Sequence, residues 1–372
     1  MTGKRQYGGV AFATIVIVAL VVFAWTREGQ RRRDLTDRAE ALRIELDRAV
    51  ERDVQPHPPL LGDATEGEAT VHYRRAAKLW VDAQAMTGPA EELLARTSDD
   101  AAWPEIDAVL AGGAAALDEL KAACSAATLD VGALWRSAST TGIESVIISH
   151  SHWCGLCLVV RRHLRANDHT AAIEWTARLL TWCRDVEFGV PAYVLIANAA
   201  VTNLTDAWSD DVLRTLDAAS LDRLVTVLQR FEDTAAPLDR CARAALLGSF
   251  EALHTHCDAI PERTRTTEAL VGLADRIRAS GPGWTSRTAA LEVTDPLPGT
   301  EVGHIERQAR ESRARLRLLR MAVAHHRGER SVLDDPLGDG PFAVDERDGA
   351  ITFRCATTSA DGSPIERTAR RR

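Results

Sequence analysis

"RRHLRANDHTAAIEWTARLLTWCRDV", residues 161–186, sets two amphipathic segments of similar length on either side of the short polar turn "RANDHT". Apolar residues return every three or four positions on both sides, the spacing of a helix that buries one face. Two helices joined by so short a turn fold back on each other as a helical hairpin. The pair reads as a hairpin of the repeat type, although no strict repeat period recurs along the chain.

Immediately upstream lies "HWCGLC", His152 to Cys157, which contains the Trp-Cys-Gly-x-Cys string of a thioredoxin-like redox site. Such a dithiol works at a helix N-terminus after a strand, where the helix dipole lowers the first thiol's pKa. Here Trp153, Leu156, Cys157, Val160 and Leu164 form one apolar stripe, with Arg161, Arg162 and Arg165 leaving it for water. Both cysteines therefore sit inside a helical pattern, Cys157 near the centre of the stripe and Cys154 toward its edge. Two small buried side chains are the reading preferred over a dithiol.

The helical pattern extends in both directions. Segments 68–86, 104–124, 129–138, 143–165, 170–187, 191–208, 220–234, 237–257, 266–279 and 301–326 read as helices, with Ser220 as an N-cap and Pro237 at a first helical position. Aromatics are 5% of the 372 residues, and alanine, leucine and arginine are abundant, which favours helices over sheets. The net charge of −8 supplies no global basic field, so nucleic acid is not an expected partner. Seven cysteines, an odd number at irregular spacing, imply no disulfide framework.

Toward the amino terminus, Gly8 to Trp25 is an uncharged run flanked by Lys4, Arg5 and Arg27. Its length predicts a retained membrane anchor that meets lipid through residues 8–25. Leu35, Ala39, Leu42, Leu46 and Ala49 then keep a heptad-like spacing, read as a helix leaning on the rest of the protein. "QPHPPLLGD" breaks that helix. At the other end, Phe342 to Val344 and Ala350 to Cys355 flank Asp348-Gly349 and predict a β-hairpin.

The fold expected is mainly α, with an N-terminal transmembrane helix, an antiparallel helical-hairpin domain and a small C-terminal β-hairpin. Its divisions are an anchor at 1–27, a membrane-proximal helix and Pro-rich linker at 28–62 and a repeat-like helical domain at 63–280. A loop at 281–300, a final helix plus hairpin at 301–362 and a disordered basic tail at 363–372 complete it.

"HYRRAAKL" (72–79), the 161–186 hairpin and "DDPLGDGPFAV" (334–344) with its following Asp-Gly resemble a group of uncharacterised bacterial proteins. That group pairs a membrane segment with tetratricopeptide-like helices and a short C-terminal hairpin, and it has no assigned activity. Asp335-Pro336, Gly340-Pro341-Phe342 and Asp361-Gly362 are also similar to the ends of type II secretion pseudopilins. "ITFRCATTS" lacks their tyrosine-rich strand, and the helical bulk is too large for a pseudopilin. The resemblance implies a single-pass protein of the bacterial inner membrane with its bulk outside the cytoplasm. The arginines after the span argue the other way, and the outward placement is preferred.

Candidate chemistry is sparse. His150, Cys154 and Cys157 follow i, i+4, i+7 spacing and could offer soft metal ligands, and "HTHC" (254–257) is a second His/Cys group. No catalytic residue and no cofactor are expected, since no nucleophile elbow, phosphate loop or dinucleotide fingerprint is present. The Arg-rich run 307–320 reads as a solvated helix face rather than a phosphate or lipid site. The functional reading is a membrane-anchored protein-interaction or scaffold module of the bacterial envelope. The alternative is a metal-binding or thiol-redox protein built on His150, Cys154 and Cys157.

Overall fold

The computed structural model describes residues 4–50, 53–87, 90–134, 143–188, 192–256, 260–281, 283–291, 302–347 and 349–370. Within these, the side chains at 4–22, 83–87, 143–151, 192, 252–256, 260–262 and 290 fall outside the description. Among the described residues helices dominate, fifteen of them, with a small C-terminal three-stranded sheet.

The quoted hairpin is helix α7 (Ile143–Arg165) followed by α8 (His169–Phe188). Asn167 turns the chain with a φ of 56°, a conformation asparagine tolerates better than most residues. Asp168 then accepts a hydrogen bond from the Ala171 amide, capping α8. α9 (Ala192–Ala207) packs on both, and α11 (Ala218–Thr234) packs on α8. Asp217, not the expected Ser220, caps α11, and its carboxylate accepts from the Ser220 amide.

α15 (Val302–His326) runs through the middle of the molecule. It packs against α9, α11, α12 (Leu238–His256), α10 (Asp210–Thr215) and the C-terminal sheet. Of its described side chains only His304 is exposed. That sheet has order β4 (Ala343–Arg347), β5 (Ala350–Thr358), β6 (Pro364–Arg370), all antiparallel. Phe353, Cys355, Ile365 and Ala369 form its buried face. The expected β-hairpin thus gains a third strand from a tail read as disordered. The cause is alternation: Ile365, Arg367 and Ala369 point inward while Glu366, Thr368 and Arg370 point out.

α1 (Lys4–Val50) docks on α12 and α13 (Ile260–Ala279) through Leu42, Leu46 and Val50. The expected anchor lies along its first half, and its side chains up to residue 22 fall outside the description. Among the described residues no helix is long and apolar enough to cross a membrane. In the part of α1 whose side chains are described, Phe23 onward, Arg27, Glu28, Arg31, Arg32 and Arg33 leave no run of the ~20 apolar residues a span requires. The transmembrane helix, and the bacterial inner-membrane placement built on it, are therefore corrected.

Other expectations also give way. A second sheet joins β1 (Val54–Pro56), antiparallel, and β2 (Thr65–Glu68), parallel, to β3 (Ala126–Asp130). β3 begins before the helix expected at 129–138, of which a turn at 131–134 (α6) is described. Two short helices, α3 (Ala90–Ala95) and α14 (Trp284–Leu291), stand where loops were expected. The single helix expected over 104–124 is two, α4 (Trp103–Gly112) and α5 (Ala114–Ser125), broken at Gly113.

Gly113 marks a close approach. A Cβ there would lie 2.7 Å from the Trp80 ring on α2 (Ala69–Thr87), and a Cβ on Gly155 of α7 would lie 2.3 Å from the same ring. The indole is 2% exposed and wedged between the two glycines, so it has no room to yield. This accounts for the glycine in "HWCGLC": it admits a tryptophan from another helix. Gly155→Ala should cost about 3 kcal/mol of stability in urea unfolding. In the double variant with Trp80→Leu the two effects should couple by at least ~1 kcal/mol; strict additivity would show that the ring does not hold the helices together.

Candidate functional site

The cysteine pair lies in the core. Trp153, Cys154, Leu156, Cys157 and Val160 are all buried on α7. Cys154, expected at the edge of the stripe, is fully buried because α7 is covered on several sides by α2, α3, α8 and α9. The Cys157 thiol donates to the Ala200 carbonyl and the Cys183 thiol to the Ala197 carbonyl, both at 3.9 Å. Burial pushes the Cys157 thiol up to about 12 and the Cys154 thiol higher still. Those shifts run opposite to what a thiolate nucleophile needs. The side chains of His150 and His254, and the whole of Cys257, lie outside the described residues. Among the described residues no group of three His, Cys, Asp or Glu side chains is placed to hold a metal ion.

A polar group that the sequence reading missed sits nearby. His57, in the stretch read as linker, is 2% exposed and faces an acceptor at each ring nitrogen. Nδ1 lies 2.7 Å from the Ala126 carbonyl and Nε2 lies 2.7 Å from Oδ2 of Asp185 on α8. Tyr73 donates to the same Oδ2 at 2.6 Å, and Arg184 Nε donates to Oδ1 at 3.1 Å. A ring between two acceptors is satisfied only as imidazolium. Burial opposes that charge, but the Asp185 carboxylate and its hydrogen bond outweigh it and raise the His57 pKa above 6.5. Burial likewise opposes the Asp185 charge, and Arg184, His57 and Tyr73 still draw its pKa below 3.8. The group clamps the chain entering the body onto α8. A histidine flanked by three prolines carried no sequence signal of this, since its partner lies 128 positions away.

The Arg-rich run of α15 is the second polar group, and the expectation of a solvated face is corrected. Arg310 donates to Glu306 at 2.8 Å and to the Pro336 carbonyl at 2.9 Å. Arg313 donates to Glu187 at 2.6 Å and to the Ala236 carbonyl at 3.4 Å. Arg307 pairs with Glu311 and reaches the Thr358 and Ser359 carbonyls. Arg317 pairs with Glu232 and reaches the Asp334 carbonyl. The signal available was "RLRLLRMAVA", 315–324, where apolar residues occupy more than one stripe of the helix.

Asp335 and Asp361, on which the expected resemblance to pseudopilin ends was based, act within the fold. Asp335, 3% exposed, accepts from the Leu337 amide through Oδ1 and from the Ala356 amide on β5 through Oδ2. Asp361 accepts from the Ser363 amide in the turn before β6. Asp335 thereby stitches the 334–342 loop to the sheet that covers α15, and Asp361 holds the β5–β6 turn.

Both polar groups therefore cross-link secondary structure. Two buried histidines, His57 of the first group and His152 of α7, make the stability of the fold depend on pH in opposite senses. His57 has a raised pKa, so its contribution is complete below pH 6.5 and is lost as pH rises through its folded-state value. His152 is fully enclosed, and burial lowers its pKa to about 4. Below 6.5 the unfolded chain takes a proton that the native ring refuses, at a cost that grows to about 3 kcal/mol by pH 4. Urea midpoints should thus peak near pH 6.5 among the conditions where these rings titrate. His57→Gln should flatten the alkaline limb and His152→Phe the acid limb. An alkaline limb that survives in His57→Gln would place the dependence elsewhere.

Comparison of the chain with protein-family models, with curated proteins and with solved structures finds no match.

Proposed function

We propose that this chain is a non-catalytic helical scaffold that holds other proteins. On this reading the α7–α8 hairpin and the helices packed on it form a stack of antiparallel hairpins of the repeat type, whose outer faces carry partners. The observation that supports it is the shape of α1. A helix of 47 residues extends about 70 Å at 1.5 Å per residue. Among its described side chains the buried ones begin at Leu42, with Leu35 and Ala39 partly covered, while Phe23 and Trp25 stand 64% and 80% exposed. Large apolar side chains held clear of the body mark a contact surface.

Ion pairs hold the other half of the helix in place. Arg31 pairs with Glu268 at 2.8 Å, Arg278 with Glu45 at 2.5 Å, and Arg38 with Asp275. Each is exposed and contributes little alone. Together with the Leu42, Leu46 and Val50 contacts they fix one direction for the projecting segment. The thiol-redox alternative has the raised cysteine pKa values against it.

A photo-crosslinker placed at Trp25 in the full chain should capture a discrete protein in native extracts. Phe23→Asp with Trp25→Glu should reduce capture at a neighbouring crosslinking position, Glu28, at least tenfold while leaving the melting temperature unchanged. Capture of lipid alone, or capture insensitive to the two substitutions, would remove the support for this reading.

A further inference from the structure

A cavity of about 500 Å³ opens where α1, α12, α13 and α15 meet. Its size is within the range of small-molecule sites. One wall is apolar and formed by Leu42, Leu46, Leu238, Leu246 and Ile277. The polar end is cationic. Four guanidinium groups line the cavity, those of Arg243, Arg278, Arg287 and Arg310, against two carboxylates, Glu45 and Asp239. Both carboxylates are occupied at the rim, Glu45 by Arg278 and Asp239 by Arg243.

Arg287 is the informative residue. It is 5% exposed, yet its fork is only partly engaged. Nη1 donates to the Ile277 carbonyl at 2.8 Å and to the Ser280 hydroxyl at 3.0 Å. Nε forms a buried ion pair with Glu306 Oε1 at 3.2 Å but makes no hydrogen bond, and Arg310 donates twice to that same oxygen. Nη2 has no hydrogen-bond acceptor among the described residues. Arg287 and Arg310 thus share one carboxylate, which leaves one excess positive charge and unused Arg287 donors at this end of the cavity, the complement of an added anion.

We propose that this cavity binds a single-chain anionic amphiphile, its carboxylate at Arg287 and its alkyl chain along Leu42, Leu46 and Leu246. The proposal rests on the cavity and on Arg287, and is independent of the scaffold reading. A phosphate monoester would offer the same charge and the same fork geometry, so the headgroup has to be read by comparison. The test uses the full chain and displacement of 11-dansylaminoundecanoate by dodecanoate, dodecyl phosphate, dodecanol and dodecyltrimethylammonium.

Dodecanoate should displace the dye at least tenfold more effectively than dodecanol, and the cationic amphiphile should fail. Arg287→Met, which keeps the stem and removes the fork, should erase the dodecanoate advantage and leave dodecanol unchanged. Ala49→Trp, which fills the cavity from α1, should abolish displacement of both, with unchanged circular dichroism confirming the fold. Stronger displacement by dodecyl phosphate would overturn the carboxylate assignment. Equal action of dodecanoate and dodecanol, or an Arg287→Met protein that behaves as wild type, would overturn the site.

Discussion

A helix as charged as α15 can lie at the centre of this protein because each of four guanidinium groups finds one carboxylate and at least one backbone carbonyl. Arg307, Arg310, Arg313 and Arg317 all follow this pattern. The carboxylate balances the charge, and the carbonyl belongs to a loop or helix end that would otherwise lose its water on burial. An unpaired charge in that position costs several kcal/mol, so the central packing depends on these pairs forming together. The partner carbonyls come from 236, 334, 336, 358 and 359. The α11–α12 connection, the Asp-Pro loop and the β5–β6 turn are thereby tied to one helix.

The same device recurs away from α15. Arg367 on β6 reaches the Thr205 and Trp208 carbonyls at the end of α9, and Arg184 reaches the Pro58 carbonyl beside the His57 clamp. Helix C-termini carry unsatisfied carbonyls and the negative end of the helix dipole, so a cation there is stabilised twice. Glu187 shows the balance involved. Burial raises its pKa, and Arg313 and Arg240 pull against that rise.

What could be read in the sequence was local. The α7–α8 hairpin follows from spacing and a polar turn within thirty residues, and its ends agree with the reading to about one residue. The strand after Asp348-Gly349 is likewise written in short-range alternation. What could not be read depends on partners far along the chain. Gly113 breaks a helix, and Gly155 completes a misleading redox string, because Trp80 needs space from both. The arginines of 307–320 look solvated until Glu187 and Glu232 are brought to them from over seventy residues away. β6 carries three charged residues, Glu366, Arg367 and Arg370, and Glu366 meets Arg354 only once β5 is beside it. The buried thiols sit between these cases: the stripe predicted Cys157, but the depth of Cys154 required knowing how many helices surround α7.

Composition carries a trace of the arginine device. Of the 45 basic residues only Lys4, Lys78 and Lys121 are lysines. Arg240 shows why. Its Nε and Nη2 donate to the Val50 carbonyl at 3.1 and 2.6 Å, Nη1 to the Glu187 carbonyl at 3.1 Å, and Nη2 also to the Phe188 carbonyl at 2.9 Å. One side chain therefore closes the C-terminal ends of α1 and α8 at once, stacked 4.7 Å from the Phe188 ring. An ammonium donates from a single atom and cannot span two helix ends, whereas a planar fork with five donors can. The position of α1 on the body is thus coupled through Arg240 to α8, which carries Asp185 of the His57 clamp and Glu187 of the α15 ladder. The joint of the projecting helix, the entry of the chain into the body and the central helix form one connected polar frame inside an otherwise apolar interior.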